Sequence, residues 1–244
     1  AQVTTIPAII QKGYTGEVTV IFNPNDGNGG MKDAKECYAH TGLITAASSG
    51  DDDWKNVVEE WRKNTAKTQL TKDGANWKLV IPNIYEYYKC PTTTEIKKLA
   101  FVFHDGPSGS KEGKTAEGTD IFVELAEKGL AVSITNALPD ISKLNDKLTL
   151  HCVATETAAL SLTVNGNEIA KGEGTELNVE YTLDAVGDFV FEFTATKDDE
   201  VKSISIQTCV VSAPEQAPRP EGIDMGIYYN EEDPTKITLS TFAA

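Results

Sequence analysis

The first candidates for chemistry in this 244-residue sequence are those whose types and spacing imitate catalytic motifs. Gly106-Pro107-Ser108-Gly109-Ser110 imitates a nucleophile elbow, but serine stands where the final glycine belongs and no helix signal follows, so a glycine-rich turn is expected. Asn25 to Glu36 sets Gly30 and Glu36 at positions six and twelve of a calcium loop. Positions three and five are Gly27 and Gly29, which offer no side-chain oxygen, so no metal is expected there. His40, His104 and His151 lack ligand spacing. With 37 Asp and Glu, acidic pairs are too plentiful for any two to be singled out as acid and base. No catalytic residue and no cofactor is expected in this chain.

The aromatic residues are more informative. Trp54, Trp61 and Trp77 fall within one short stretch, closely followed by Tyr85, Tyr87 and Tyr88, while residues 130–212 contain no tryptophan. Trp77 opens an alternating strand and is expected in a core. Trp54 and Trp61 sit among Asp, Lys, Glu and Arg, which points to at least one of them at the surface. Exposed aromatic planes suit sugar rings, whose apolar C–H faces stack on them while the hydroxyl rim takes hydrogen bonds from Asn, Asp, Lys or His.

The elements that must position these residues are strands. Segments alternating at period two and punctuated by Gly, Asn, Asp and Pro define an all-β protein. In residues 1–129 the expected strands are Glu17 to Phe22, Cys37 to Thr45, Thr68 to Thr71, Trp77 to Ile81, Leu99 to His104 and Asp120 to Leu125, enough for one small β-sandwich. Trp54, Val57, Val58 and Trp61 have i, i+3, i+4, i+7 spacing behind three aspartates, which fits a short helix or an irregular edge segment. Residues 130–212 read as Leu130 to Thr135, Lys147 to Thr155, Leu160 to Asn165, Glu176 to Leu183, Asp188 to Thr196 and Val201 to Val211. An Asn165-Gly166 hairpin signal leads from the third of these to a short strand, and the whole suggests an Ig-like sandwich without the buried tryptophan of that fold. Residues 213–222 have the composition of a proline-rich linker. Residues 223–244 supply strands at Gly226 to Asn230 and Lys236 to Phe242, which read as the start of a third, truncated β domain.

Charge narrows the partners. The chain carries 22 Lys and Arg against 37 Asp and Glu, a net charge of −15, which repels a phosphate backbone and excludes nucleic acid. Residues 1–129 hold 15 basic and 18 acidic groups, so the near-neutral, aromatic-rich first domain is the expected binder; residues 130–212 hold 5 and 13. No apolar run approaches the roughly 18 residues needed for a membrane span. Cys37, Cys90, Cys152 and Cys209 divide two and two between the domains, leaving one bridge in each or four free thiols as the alternatives.

Several segments carry a family resemblance. Glu17-Val18-Thr19-Val20-Ile21-Phe22-Asn23, Tyr38-Ala39-His40-Thr41-Gly42, Asn76-Trp77-Lys78-Leu79 and Leu99-Ala100-Phe101-Val102-Phe103-His104-Asp105-Gly106 resemble, in order, segments of starch-binding modules of the family 25 and 26 type, over about residues 15–125. Arg219-Pro220-Glu221-Gly222, Gly226-Ile227-Tyr228-Tyr229-Asn230 and Asp233 to Leu239 resemble the small sandwich preceding the barrel in family 13 α-amylase-type enzymes of gut Bacteroidetes. The resemblance implies a non-catalytic accessory region, exported to the periplasm or cell surface of a Gram-negative bacterium. It would bind an α-glucan polysaccharide or maltooligosaccharide and be joined to a catalytic domain of the same polypeptide. It also implies His40 as a rim histidine and Trp54 as a first aromatic platform. The family's second platform has no counterpart in Ser108 to Lys114, where Trp61 is the available substitute. The rival expectation, a structural or protein-docking spacer, requires Trp54 and Trp61 to be buried in the core or between domains.

Overall fold

The computed structural model describes residues 2–136 and 138–212 in full, and the main chain of 227–229 and 237–239. Residues 1–211 form one compact unit and 212–244 a second. The expected linker at 213–222 lies outside the described residues. In the second unit Ile227–Tyr229 pairs antiparallel with Ile237–Leu239, within the two stretches expected to be strands.

The protein is all-β, two β-sandwiches in tandem of which the second is Ig-like. The first packs two sheets around one core. One sheet orders β1 (Val3–Ile6), β3 (Val18–Phe22), β6 (Asn76–Ile81) and β5 (Thr71–Asp73) as β1-β3-β6-β5. The other orders β2 (Ile10–Gln11), β9 (Ile121–Ala126), β7 (Ile96–His104) and β4 (Tyr38–Thr45) as β2-β9-β7-β4, with β8 (Glu112–Gly113) beside β7. Alternation sorts the side chains: Val18, Val20 and Phe22 from β3, Trp77, Leu79 and Ile81 from β6, and Leu99, Phe101 and Phe103 from β7 all enter the core. Phe22 stacks on Phe103 at 3.9 Å between ring centres. One helical turn, α1 (Ile84–Tyr87), went unexpected; its signal was Asn83, whose side chain accepts from the Tyr85 and Glu86 main-chain N–H groups.

Residues 54–61 are not a helix, which corrects one of the two sequence expectations. Their main-chain groups bond instead to the free edge of β4: Lys55 and Leu43 exchange N–H···O bonds of 2.7 and 2.8 Å, and Val58 N–H reaches the Thr41 carbonyl at 3.0 Å. An exposed strand edge offers unpaired donors and acceptors at a fixed spacing, and that outcompetes a two-turn helix. Thr68 and Leu70 pair with the start of β4 in the same way, so the strand expected at Thr68 to Thr71 is mostly edge cover.

The second sandwich is a single six-stranded sheet folded on itself: β10 (Val132–Ile134), β11 (Ile141–Lys143), β12 (Lys147–Val164), β13 (Asn167–Thr182), β14 (Gly187–Lys197) and β15 (Glu200–Val211). The two strands expected at 147–155 and 160–165 are one, β12. Its even-numbered Leu150, Cys152, Ala154, Ala158, Leu160, Leu162 and Val164 are all buried. A register irregularity between Val153 and Ala158, across polar Thr155-Glu156-Thr157, lets β12 bend from one layer to the other. Its first half lies between β10 and β13, its second between β13 and β14. Asn165 and Gly166, at φ 48° and 80°, form the expected tight hairpin turn, but β13 is long rather than short. All four cysteines are free thiols.

Candidate functional site

His40, Trp54 and Trp61 come together. His40 leaves the outer face of β4, opposite Val102 of β7. The Trp54 ring stacks on it at 5.5 Å and 24°, and the Trp61 ring meets it edge-on at 5.2 Å and 83°. The two indole planes are therefore steeply inclined to one another. With Val57 as an apolar shoulder and Asp52, Asp53, Lys114 and Asp120 around the rim, they enclose a shallow depression of about 470 Å³. Trp61 is 43% exposed, Trp54 is half-buried, and Trp77 lies in the core at 5%.

Each platform is held by its loop. The Trp54 indole N–H donates to the Asp51 carbonyl at 3.0 Å, so the ring offers a ligand its face and not its donor. Lys98 anchors Asp51 at 3.0 Å, while Asp53 accepts from Ser49 N–H and pairs with Lys55 at 2.6 Å. These contacts hold the Asp53 carboxyl below the usual range, Lys55 foremost. Gly42 makes room underneath. A β-carbon there would lie 3.1 Å from the Lys55 carbonyl and from Val57, and 3.3 Å from the Trp54 ring. Gly42→Ala is thus expected to lift Trp54 off the sheet and to destabilise the first sandwich by about 1–2 kcal/mol. Urea unfolding followed by tryptophan emission measures the loss; an unchanged midpoint would contradict the close packing.

His104, set aside on spacing, sits beneath Trp61. It is 1% exposed, its ring 5.3 Å from Trp61 and stacked at 5.7 Å on Tyr38. Its Nδ1 accepts the Gly106 N–H at 3.1 Å, which leaves the ring proton on Nε2. Burial, then the charges of Arg62 and His40, push its pKa down to about 4. Burial also lowers His40, against the opposing pull of the Glu59 carbonyl and Asp120. Both imidazoles are neutral at pH 7, and no serine or cysteine lines the depression. Among the described residues no group of three or more His, Cys, Asp or Glu is placed to hold a metal ion, and no helix is long and apolar enough to cross a membrane.

A larger groove of about 750 Å³ runs between the two sandwiches, walled by Thr5, Ile6, Tyr14, His151 and Glu176 among others. It contains none of the residues expected to bind.

Sequence reasoning missed His104, Arg62, Gly42 and Asp120. Only Gly42 had a local signal, a glycine inside a strand, which marks a close approach.

Fold and site together define a protein of tandem β-sandwiches with a surface aromatic depression on the first. Among solved structures the chain is similar to the fibronectin(III)-like modules of Clostridium thermocellum CbhA, at 20% identity over 34% of this chain and 99% of that one, with a TM-score of 0.29. It is also similar to the titin domains Z1Z2 in complex with telethonin (12% identity, 84% and 92% covered, TM-score 0.27) and to the ICAM-5 D1–D4 ectodomain fragment (10%, 89% and 53%, 0.27). No protein-family model matches the sequence, and no curated protein matches it.

Proposed function

We propose that the first sandwich binds a neutral polysaccharide, an α-glucan or maltooligosaccharide, through Trp54, Trp61 and His40, as a non-catalytic accessory region of an exported starch-degrading enzyme of the family 13 type. The observation that carries this reading is the pair of steeply inclined aromatic planes at an open surface, with a neutral imidazole between them and carboxylates and one ammonium at the rim. Planes set at an angle suit a curved chain whose successive sugar rings turn, while the rim groups accept from and donate to hydroxyls. The exposure of Trp61 speaks against the spacer reading, which needs both tryptophans buried. The segment likeness to starch-binding modules supports the choice of α-glucan and of a catalytic domain on the same polypeptide. Tethering then acts by effective concentration, holding an active site near insoluble substrate without new chemistry, with the second sandwich as spacer.

Affinity gel electrophoresis of the whole 244-residue chain through amylopectin tests this. Retarded migration is expected, with Trp54→Ala or Trp61→Ala weakening binding by about tenfold to a hundredfold, the equivalent of unburying one indole face. Unretarded migration of the unmodified chain would sink the proposal.

A further inference from the structure

Arg62 follows Trp61 directly and faces the other way. Its φ of 62° is left-handed, unusual for a residue with a side chain, and this reversal sends Trp61 to the β4 face while Arg62 enters the loop after β7. There the guanidinium is wrapped. One terminal nitrogen donates to the carbonyls of Gly109 at 2.7 Å and Gly106 at 3.2 Å and to Asp105 Oδ1 at 3.4 Å. The other donates to Glu112 Oε1 at 3.2 Å and the Lys111 carbonyl at 3.4 Å. Asp105 Oδ1 also accepts the Lys111 N–H at 3.0 Å, closing the loop around the cation. The guanidinium carbon stands 5.3 Å from the Trp61 ring centre.

The loop so gripped begins at His104, the same ring that Trp61 meets edge-on. Trp61 is thereby fixed on three sides: by His40 from β4, by His104 from β7 and by its own neighbour's cation. It is also the most exposed of the three tryptophans. A planar fork with five donors can serve three backbone carbonyls and two carboxylates at once, whereas an ammonium with three donors on a flexible stem cannot reproduce that arrangement.

We propose that Arg62 is a positioning residue of the site. By gripping the Asp105 to Glu112 loop it holds Trp61 upright against His40 and His104, and so sets the inclination between the two aromatic walls. This rests on the carbohydrate-binding reading of the depression for its consequence in binding, but not for its geometry.

The test uses Arg62→Lys, Trp61→Ala and the double variant in the whole chain, with three readouts. Thermal unfolding checks the fold. The imidazole C–H proton resonances of His40 and His104, which the Trp61 ring current displaces, report its position. Retardation in amylopectin reports binding. In Arg62→Lys the fold is expected to persist, both histidine resonances to move toward their positions in Trp61→Ala, and affinity to fall about tenfold, with no further loss when the two changes are combined. Should Arg62→Lys not fold, Glu112→Gln, which removes one charged acceptor only, is expected to move the same resonances in the same direction by less. Histidine resonances unchanged in the variant that folds, or a double variant weaker than Trp61→Ala alone, would overturn the proposal. If the unmodified chain binds no glucan, the carbohydrate reading fails by itself, and the histidine resonances still decide the role of Arg62.

Discussion

Lowering the pH from 7 to 4 is expected to remove about 3 kcal/mol of folding stability through His104 alone. In the folded protein this ring is enclosed among Trp61, Tyr38 and the Arg62 cation, and its pKa lies at about 4 against an ordinary 6.5. Desolvation is the largest cause, followed by repulsion from Arg62 and His40; Asp105 and Glu112 oppose it. Between pH 6.5 and 4 the unfolded chain takes up a proton that the folded chain refuses. The stability that His104 confers is therefore complete above about pH 6.5 and lost as the pH falls toward 4. Urea unfolding at pH 7, 5.5 and 4, followed by tryptophan emission, measures it against His104→Gln, which cannot titrate and keeps an acceptor for the Gly106 N–H. The unmodified chain is expected to lose up to about 3 kcal/mol more than the variant over this range. Equal losses in both would remove His104 from the account. Burial lowers His40 too, so its contribution has the same sign and survives in the variant.

How far the sequence foretold the molecule depends on the range over which each feature is decided. Alternation is local, and where one face of a strand meets the core it was legible: Val18, Val20 and Phe22, or Phe189, Phe191 and Phe193, are buried while Val190 and Glu192 are exposed. The Asn165-Gly166 turn was legible because its two positive φ angles demand those residue types. What failed was decided by partners distant in sequence. The apolar spacing from Trp54 to Trp61 looks helical, but Trp54, Val57 and Trp61 cover the outer face of β4 while Val58 packs against the first core, surfaces that no window of eight residues contains. Thr155-Glu156-Thr157 looks like a break between strands, yet it is the corner of one strand that serves both layers. At the site, Trp54 and Trp61 stood out by residue type and surroundings, and His40 and Trp54 by likeness to a known module. Arg62 and His104 did not, since an arginine among charged residues and a histidine at a strand end gain their roles only from the Tyr38–His104 register and the loop that follows it.

Phe191→Ala is expected to destabilise the second sandwich by about 3–5 kcal/mol while leaving the first almost untouched. Phe191 is fully buried at the centre of β14, paired with Val164 and Ile206 across the sheet, with Tyr181 edge-on at 5.4 Å and Phe189 at 6.4 Å. Removing its ring leaves a cavity in a core that shares no residue with the core of the first sandwich. The junction between them includes three hydrogen bonds: the Gly129 carbonyl accepts from Gln11 Nε2 at 2.8 Å and from Thr155 Oγ1 at 2.7 Å, and Thr155 Oγ1 accepts the Ala131 N–H at 2.8 Å. Because the two cores are separate, the loss of a phenylalanine from one is not expected to pass to the other. The tryptophans make this measurable, because Trp54, Trp61 and Trp77 all belong to the first sandwich. In Phe191→Ala, thermal unfolding followed by far-ultraviolet circular dichroism is expected to show an early transition, lowered by roughly 4 °C or more per kcal/mol. The transition followed by tryptophan emission should stay near that of the unmodified chain. If both fall together, the two cores unfold as one cooperative unit, and the second sandwich is a structural part of the first and not a separate folding unit beside it.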